Sequence, residues 1–343
     1  MDWTTIRRRS LRASAVLAAV LPLLLQGSAE ASETAAGRRT LQIVDLGTLP
    51  GGVWSSATAI NDRGWVVGSA GVGEVSHGFV WRHGRMVDLG SLLGPTGSSA
   101  ANDVNERGEI VGYSTTADLG ASAVLWHRGQ ITDLGTLGGT FSIATGINDH
   151  GDVVGFSTTS TEEFHAFVWR KGRMTDLGTI PGETFSSAEA INNRGEVVGE
   201  SGGPVAWRRG VPARLGLVPG ADEFGSALDN NNRGDVVGYA VFPGGSSINR
   251  AIIWHRGVPT DLGLEGGTSQ ALGVNDRGQV VGWRETIPME AFNGFLWDHG
   301  KVVDLESLTG HGGGATAINN RGDIVGNSPS PTDDFFSHAV LWH

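Results

Sequence analysis

No cysteine occurs among the 343 residues. Disulfides therefore cannot hold this chain together, and a hydrophobic core must. Long apolar runs are also missing. The longest, Ala13–Leu25, has thirteen residues, short of the roughly 20 that cross a bilayer as a helix. Helical periodicity is absent from residue 41 onward, which excludes a helix-built domain. Positive charge is scarce: 25 Lys and Arg against 36 Asp and Glu give a net charge of −11. Such a chain repels phosphate backbones, so nucleic acid is not an expected partner. There is no H-E-x-x-H, no histidine pair at metal-ligand spacing and no phosphate-cradling glycine loop. No metal and no cofactor is expected.

Basic residues, the apolar run and small residues in "AEA" (Ala29–Ala31) do stand at the front, in that order. That is the layout of a secretory signal. Residues 1–31 are read as a signal peptide, 32–40 as a disordered lead-in and 41–343 as one repeat domain. The expected location is extracellular or in the cell envelope, without a stable membrane span once the signal is cleaved. Whether the Sec or the Tat route exports it is left open.

Glycine is abundant, with 54 residues, and it is periodic. The pattern N-x-x-G-x-[VI]-V-G recurs at Asn61, Asn105, Asn148, Asn192, Asn231, Asn275 and Asn319. Intervals are 44, 43, 44, 39, 44 and 44 residues. A tryptophan follows each copy, and Asp-Leu-Gly or a variant follows most tryptophans. A fixed period outranks other sequence signals. Each unit divides into four short runs, a to d, as in "SSATAIN", "WVVGS", "HGFVW" and "RMVDLG". Asn and Gly between them supply the positive φ of tight turns. Four strands in about 44 residues is the arithmetic of a propeller blade. Small residues in run a suit a crowded axis, and nearly continuous apolar runs b and c suit sheets covered on both faces.

The seventh unit stops after run c, and the first is preceded by an orphan run d, "LQIVDLG" (Leu41–Gly47). The expectation is an all-β, seven-bladed β-propeller of four-stranded antiparallel blades. The N-terminal strand joins the last blade and closes the ring, because an open ring would leave bare strand edges.

The copies "DLGTLGGTFSIATGIND" and "FVWRKGRMTDLGTI", with the triplet His165-Ala166-Phe167, resemble the HAF repeat of bacterial extracellular repeat proteins. The resemblance covers residues 41–343. It implies a secreted repeat protein and carries over no functional residue. Pro204 and Val205 depart from the triplet in the fourth copy.

In a four-stranded meander the a–b and c–d turns share one end, and the b–c and d–a loops share the other. The a–b turn is constant, whereas the distance from the strand b glycine to the tryptophan ranges from 8 to 16 residues. Variable loops on a constant scaffold are where binding concentrates, so the loop end is the expected binding surface. Trp54, Phe141, Phe185 and Phe224 each stand seven residues before their asparagine, where they would ring the channel mouth. They could instead pack between blades. His77, His165 and His338 each stand four before their tryptophan, as ligand contacts or as partners of a neighbouring blade. Glu74, Glu162, Glu163, Asp333 and Asp334 read as a solvated face, and Asp88, Asp133 and Asp176 as recurring structural acceptors. "GESGGP" (199–204) imitates a nucleophile loop, but Ser201 matches the repeat serines Ser114, Ser157 and Ser328. "DNNNRG" (229–234) imitates a calcium loop without its full ligand set.

No catalytic residue is assigned. The expected role is a secreted, non-enzymatic binding scaffold for a carbohydrate, small molecule or protein. The alternatives are a secreted polysaccharide hydrolase or lyase with carboxylates at the channel mouth, and a cell-envelope structural protein.

Overall fold

The computed structural model describes residues 41–343 apart from 119, 244–247, 265–266, 288–290, 311 and 334. The expected signal peptide and lead-in (1–40) and Asp334 lie outside the described residues. Among these residues one short 3-10 turn, Gly94–Thr96, interrupts an otherwise all-β chain. No helix among them is long and apolar enough to cross a membrane.

Each repeat folds as an antiparallel a–b–c–d meander. In the first repeat the strands are Ser55–Ile60, Val66–Val72, Val75–Arg82 and Arg85–Asp88. Strands c and d are joined by two residues, His83 (φ 52°) and Gly84 (φ 75°), the geometry of a twist-compatible hairpin turn. Repeats 2 and 3 are bridged by one parallel pairing, Phe141 to Ala121, and so form a single eight-stranded sheet. In the last repeat, strands a to c are Gly314–Ile318, Ile324–Pro329 and Ser337–Trp342. The first strand of the chain, Ile43–Asp45, pairs antiparallel with Ser337–Trp342, Ile43 lying opposite Trp342.

A β-bulge recurs in strand a. Pairing with strand b skips one residue at position 58 of repeat 1, and the same skip occurs at 102, 145, 189, 228, 272 and 316. The bulge explains the glycine of V-V-G. A Cβ on Gly68 would lie 2.0 Å from the Ser56 carbonyl oxygen, and one on Gly155 would lie 1.9 Å from that of Ile143. Only glycine admits so close a backbone.

Strands b and c bury Val, Phe, Ile and Trp between successive repeats. Val154, Ala166 and Val168 of repeat 3 pack on Ala188, Ile191, Val197 and Trp207 of repeat 4. Val325 and Ala339 of repeat 7 pack on Ala57, Ile60 and Phe79 of repeat 1 in the same way. At roughly 25 cal/mol per Å² of apolar surface, these inter-repeat layers are the main cohesive term. Several tryptophans add a hydrogen bond: the indoles of Trp207, Trp254 and Trp342 donate to the carbonyls of Leu177, Gly216 and Glu306.

Candidate functional site

The repeat asparagine is an architectural residue. Asn148 Oδ1 accepts the backbone N–H groups of His150 and Asp152, both at 3.0 Å, which fixes its own a–b turn. Its Nδ2 donates to the Asn192 carbonyl in the next repeat, 3.2 Å away. The link repeats from Asn61 to Asn105, Asn105 to Asn148, Asn192 to Asn231, Asn231 to Asn275 and Asn275 to Asn319. Asn319 then donates to the carbonyl of Asn61, 258 residues back. A second series runs through the next residue of each turn. The Asp62 N–H donates to Glu106, the Glu106 N–H to Asp149, and the Asn320 N–H to Asp62. These turns line an open polar depression of about 180 Å³, into which Asp62, Glu106, Asp149 and Asp276 bring carboxylates. Burial and the neighbouring Asp62 and Asp149 push the Glu106 carboxyl up, against the pull of its bond from the Asp62 N–H.

Deeper along strand a, two repeats depart from the pattern. Two residues before the asparagine stand Ala59, Asp103, Gly146, Ala190, Asp229, Gly273 and Ala317. Asp103 accepts the N–H groups of Val104 (2.7 Å) and, across the repeat boundary, Ile147 (2.8 Å). Asp229 does the same with Asn230 and Val274, at 2.8 Å each. Burial raises Asp103 to about 6 and Asp229 to about 7 despite these bonds, and the Asp103 charge adds to the rise at Asp229. Both keep some solvent contact. A third departure is Glu189, which occupies a bulge position. Ser187 Oγ donates to it at 2.8 Å, yet burial raises it to about 7, with Glu200 contributing. Burial also raises Glu200, and burial together with both glutamates raises Tyr239. Two carboxyls and a phenol with elevated pKa at the boundary of repeats 4 and 5 are acid–base candidates on chemical grounds. Asp229 and Glu200 stood in the sequence only as members of "DNNNRG" and "GESGGP", and Asp103, Glu189 and Tyr239 carried no expectation. For the four acids the signal was present in the repeat itself: Asp103 and Asp229 stand where other copies hold Ala or Gly, Glu189 where they hold Thr, Asn or Leu, and Glu200 where they hold Ser, Asn or an aromatic residue.

The sequence-predicted aromatics fall into two environments. Trp54 stacks on Gly71 within its own repeat, and Phe141 clusters with Phe156 and Phe164, ring centroids 6.2 and 5.8 Å away. Phe185 and Phe224 are 41 % and 60 % exposed. Among the described residues no ring contact joins Trp54, Phe141, Phe185 and Phe224 to one another. The histidines pair with the Asp of Asp-Leu-Gly on the adjoining strand: His77 with Asp88 (2.8 Å), His165 with Asp176 (2.8 Å) and His338 with Asp45 (2.9 Å). His77 also meets the Gly97 carbonyl through Nε2. The same aspartates accept the N–H two residues on, at Gly47, Gly90 and Gly178. Ser201 is fully buried, donates to the Phe185 carbonyl and accepts the Ile180 N–H, an environment for a structural hydroxyl. In the "DNNNRG" stretch, Asn231 and Asn232 are occupied by Asp235, Asn275 and Asp276. This polar depression lies at the a–b turns, the end opposite the loop end where the binding surface was expected.

No protein-family model and no curated protein sequence matches the chain. Solved structures do. The extracellular domain of BT4673 from B. thetaiotaomicron is 9 % identical, with a TM-score of 0.53, over 88 % of this chain and 40 % of that one. The β-propeller domain of the Trilobed protease from Pyrococcus furiosus is 12 % identical, with a TM-score of 0.48, over 71 % of this chain and 81 % of that one. TolB from Acinetobacter baumannii is 11 % identical, with a TM-score of 0.45, over 68 % and 63 %. At these identities the likeness concerns fold alone: the chain is a propeller-like repeat protein.

Proposed function

We propose that this chain is an exported, HAF-type, seven-bladed propeller, closed by its first strand, that serves as a non-enzymatic binding scaffold. The closure reading is supported by the pairing of Ile43–Asp45 with Ser337–Trp342 and by the asparagine series that returns from Asn319 to Asn61. Export rests on the signal-like residues 1–31. One observation carries the scaffold reading. The asparagine that recurs in every copy is engaged in hydrogen bonds within and between repeats, which leaves the variable loops to bind. There, Phe185, Phe224, Phe292 and Phe335 are exposed, and aromatic faces suit the apolar faces of sugar rings. The test is a glycan-array and polysaccharide screen of the mature protein. Binding without turnover, lost in Phe185→Ala/Phe224→Ala, is the expected result. Turnover of any bound polysaccharide would count against the scaffold.

The second reading, a polysaccharide hydrolase or lyase, is favoured by Glu189, Glu200 and Tyr239. It requires turnover that Glu189→Gln abolishes in a variant that melts like the parent.

A further inference from the structure

The charge of this acidic chain is sorted by end. Of the Lys and Arg residues in 41–343, only Arg214, Arg250 and Arg284 lie at the loop end. All three are ion-paired, to Glu183, Asp261 and Asp304. The other sixteen sit in or beside the a–b and c–d turns, accompanied by ten carboxylates. The turn end is thus net positive on a molecule of net negative charge. The asparagine series fixes the a–b turns at one end, so the sorting holds independently of the loop-end binding reading.

A second observation concerns the c–d turns. Their first residue is His83, Arg128, Lys171, Arg209, Arg256 or His299, each at a φ between 49° and 54° and each exposed. Long side chains occupy that left-handed region at a cost, and Asn or Gly is the favoured choice in such a turn. None of the six copies uses either; all six present a cationic or imidazole side chain at the outer rim. Strain retained at one register points to a role for the side chain.

A third observation locates the strongest point. A groove of about 930 Å³ between repeats 3 and 4 is lined by four arginines, Arg170, Arg194, Arg208 and Arg209, against two carboxylates, Asp176 and Glu196, with Trp207 at its wall. Arg170 and Arg208 are paired with Asp152 and Glu196. Arg194 and Arg209 are exposed and make no ion pair among the described residues.

We infer that the rim of the turn end, centred on this groove, docks an anionic polysaccharide. Guanidinium forks match carboxylate and sulfate groups in two-point contacts. The inner ring argues against a flat anionic surface. Asp62, Glu106, Asp149 and Asp276 stand at its centre, so a bilayer pressed on this end would meet carboxylates, whereas a chain lying along the rim meets cations. Binders of single-stranded nucleic acid set stacking aromatics among their cations; here the exposed phenylalanines lie at the opposite end.

The experiment measures retention and affinity of the mature chain on polygalacturonate, on heparin and on neutral galactan, across salt concentrations. Binding to one or both polyanions but not to galactan, weakening steeply with salt, is expected. The two polyanions separate carboxylate from sulfate recognition. Arg128→Asn/Lys171→Asn/Arg209→Asn/Arg256→Asn should bind at least about 10-fold more weakly, since several charge contacts go at once. It should melt at an equal or higher temperature, since Asn relieves the turns. Arg194→Gln/Arg209→Gln should reproduce the loss should the fourfold variant fail to fold. Glu162→Gln/Glu163→Gln, in an exposed loop at the opposite end, should leave polyanion binding unchanged, which separates this site from the loop end. The inference is overturned if neither polyanion binds at low salt, if the folded variants bind as the parent does, or if anionic phospholipid vesicles or duplex DNA bind as tightly.

Discussion

Asn148 shows what one residue does in this chain. Its amide accepts two N–H groups of its own turn and donates to the next repeat, while its carbonyl receives Asn105. Each bond contributes about 1 kcal/mol, and the backbone groups it leaves behind are buried. Asn148→Ala should therefore cost about 2–4 kcal/mol, read from the urea midpoint. Gly155→Ala should be worse, several kcal/mol or outright misfolding, because its methyl has nowhere to go but the Ile143 carbonyl. The buried acids predict a pH profile. Asp103, Asp229 and Glu189 have folded pKa values of about 6, 7 and 7, above the roughly 4 of unfolded carboxyls. Their protonated forms are favoured by folding, so the stability linked to them is complete below pH about 4. It is lost as pH rises through 6 and 7. Urea unfolding should show the protein less stable at pH 8 than at pH 5 by several kcal/mol, on the order of 6 if the three contributions add. Asp103→Asn/Asp229→Asn should flatten that slope; an unchanged slope would show that these groups are not its source.

At the scale of strands, the four runs marked out in the sequence are close to the four strands of each repeat. They were legible because Asn-x-x-Gly and the two-residue Gly turns have fixed φ requirements that recur at a fixed period. The pairing of the first strand with the last repeat was legible for a different reason. Leu41–Gly47 carries Asp-Leu-Gly, and Asp45 meets His338 as Asp88 meets His77. The bulge was not legible. Nothing in the letters says that strand a gains a residue over the V-V-G glycine, since a bulge is a property of pairing rather than of composition. Nor was the part played by asparagine, whose partner lies about 44 residues away. The buried acids read as imperfections of the repeat because a period draws the eye to what recurs. The strand pairing carries its own prediction. Deleting Leu41–Gly47 exposes the edge of Ser337–Trp342, removes Leu46 from the layer between repeats 7 and 1 and uncovers Leu49 there. Aggregation, or a large fall in melting temperature, is expected. A truncated chain that melts like the intact one would refute the strand's structural role.

For the molecule as a whole, the proposed ring differs from a linear array in what holds its ends. In an array each repeat meets two neighbours except at the termini, and loss of a terminal repeat is local. In a closed ring no repeat is terminal, and unfolding one leaves two bare faces, so the ring should melt in one transition. The backbones of Gln42 and His343 already exchange two hydrogen bonds of 3.1 Å. An Asn-Gly turn from His343 to Gln42, the length of the other c–d turns, would join them without strain. New ends can then be opened at either of two kinds of site. A cut in the b–c loop at Thr161 still leaves one blade built from both ends of the chain. A cut at Gly220, in a connection between repeats, leaves every blade whole and no strand shared. If strand sharing is what locks the ring, the first permutant should match the parent in melting temperature and the second should fall below it. Equal melting of both would assign closure to the apolar layers and the asparagine series alone. Failure of both to fold as single cooperative units would count against the ring itself.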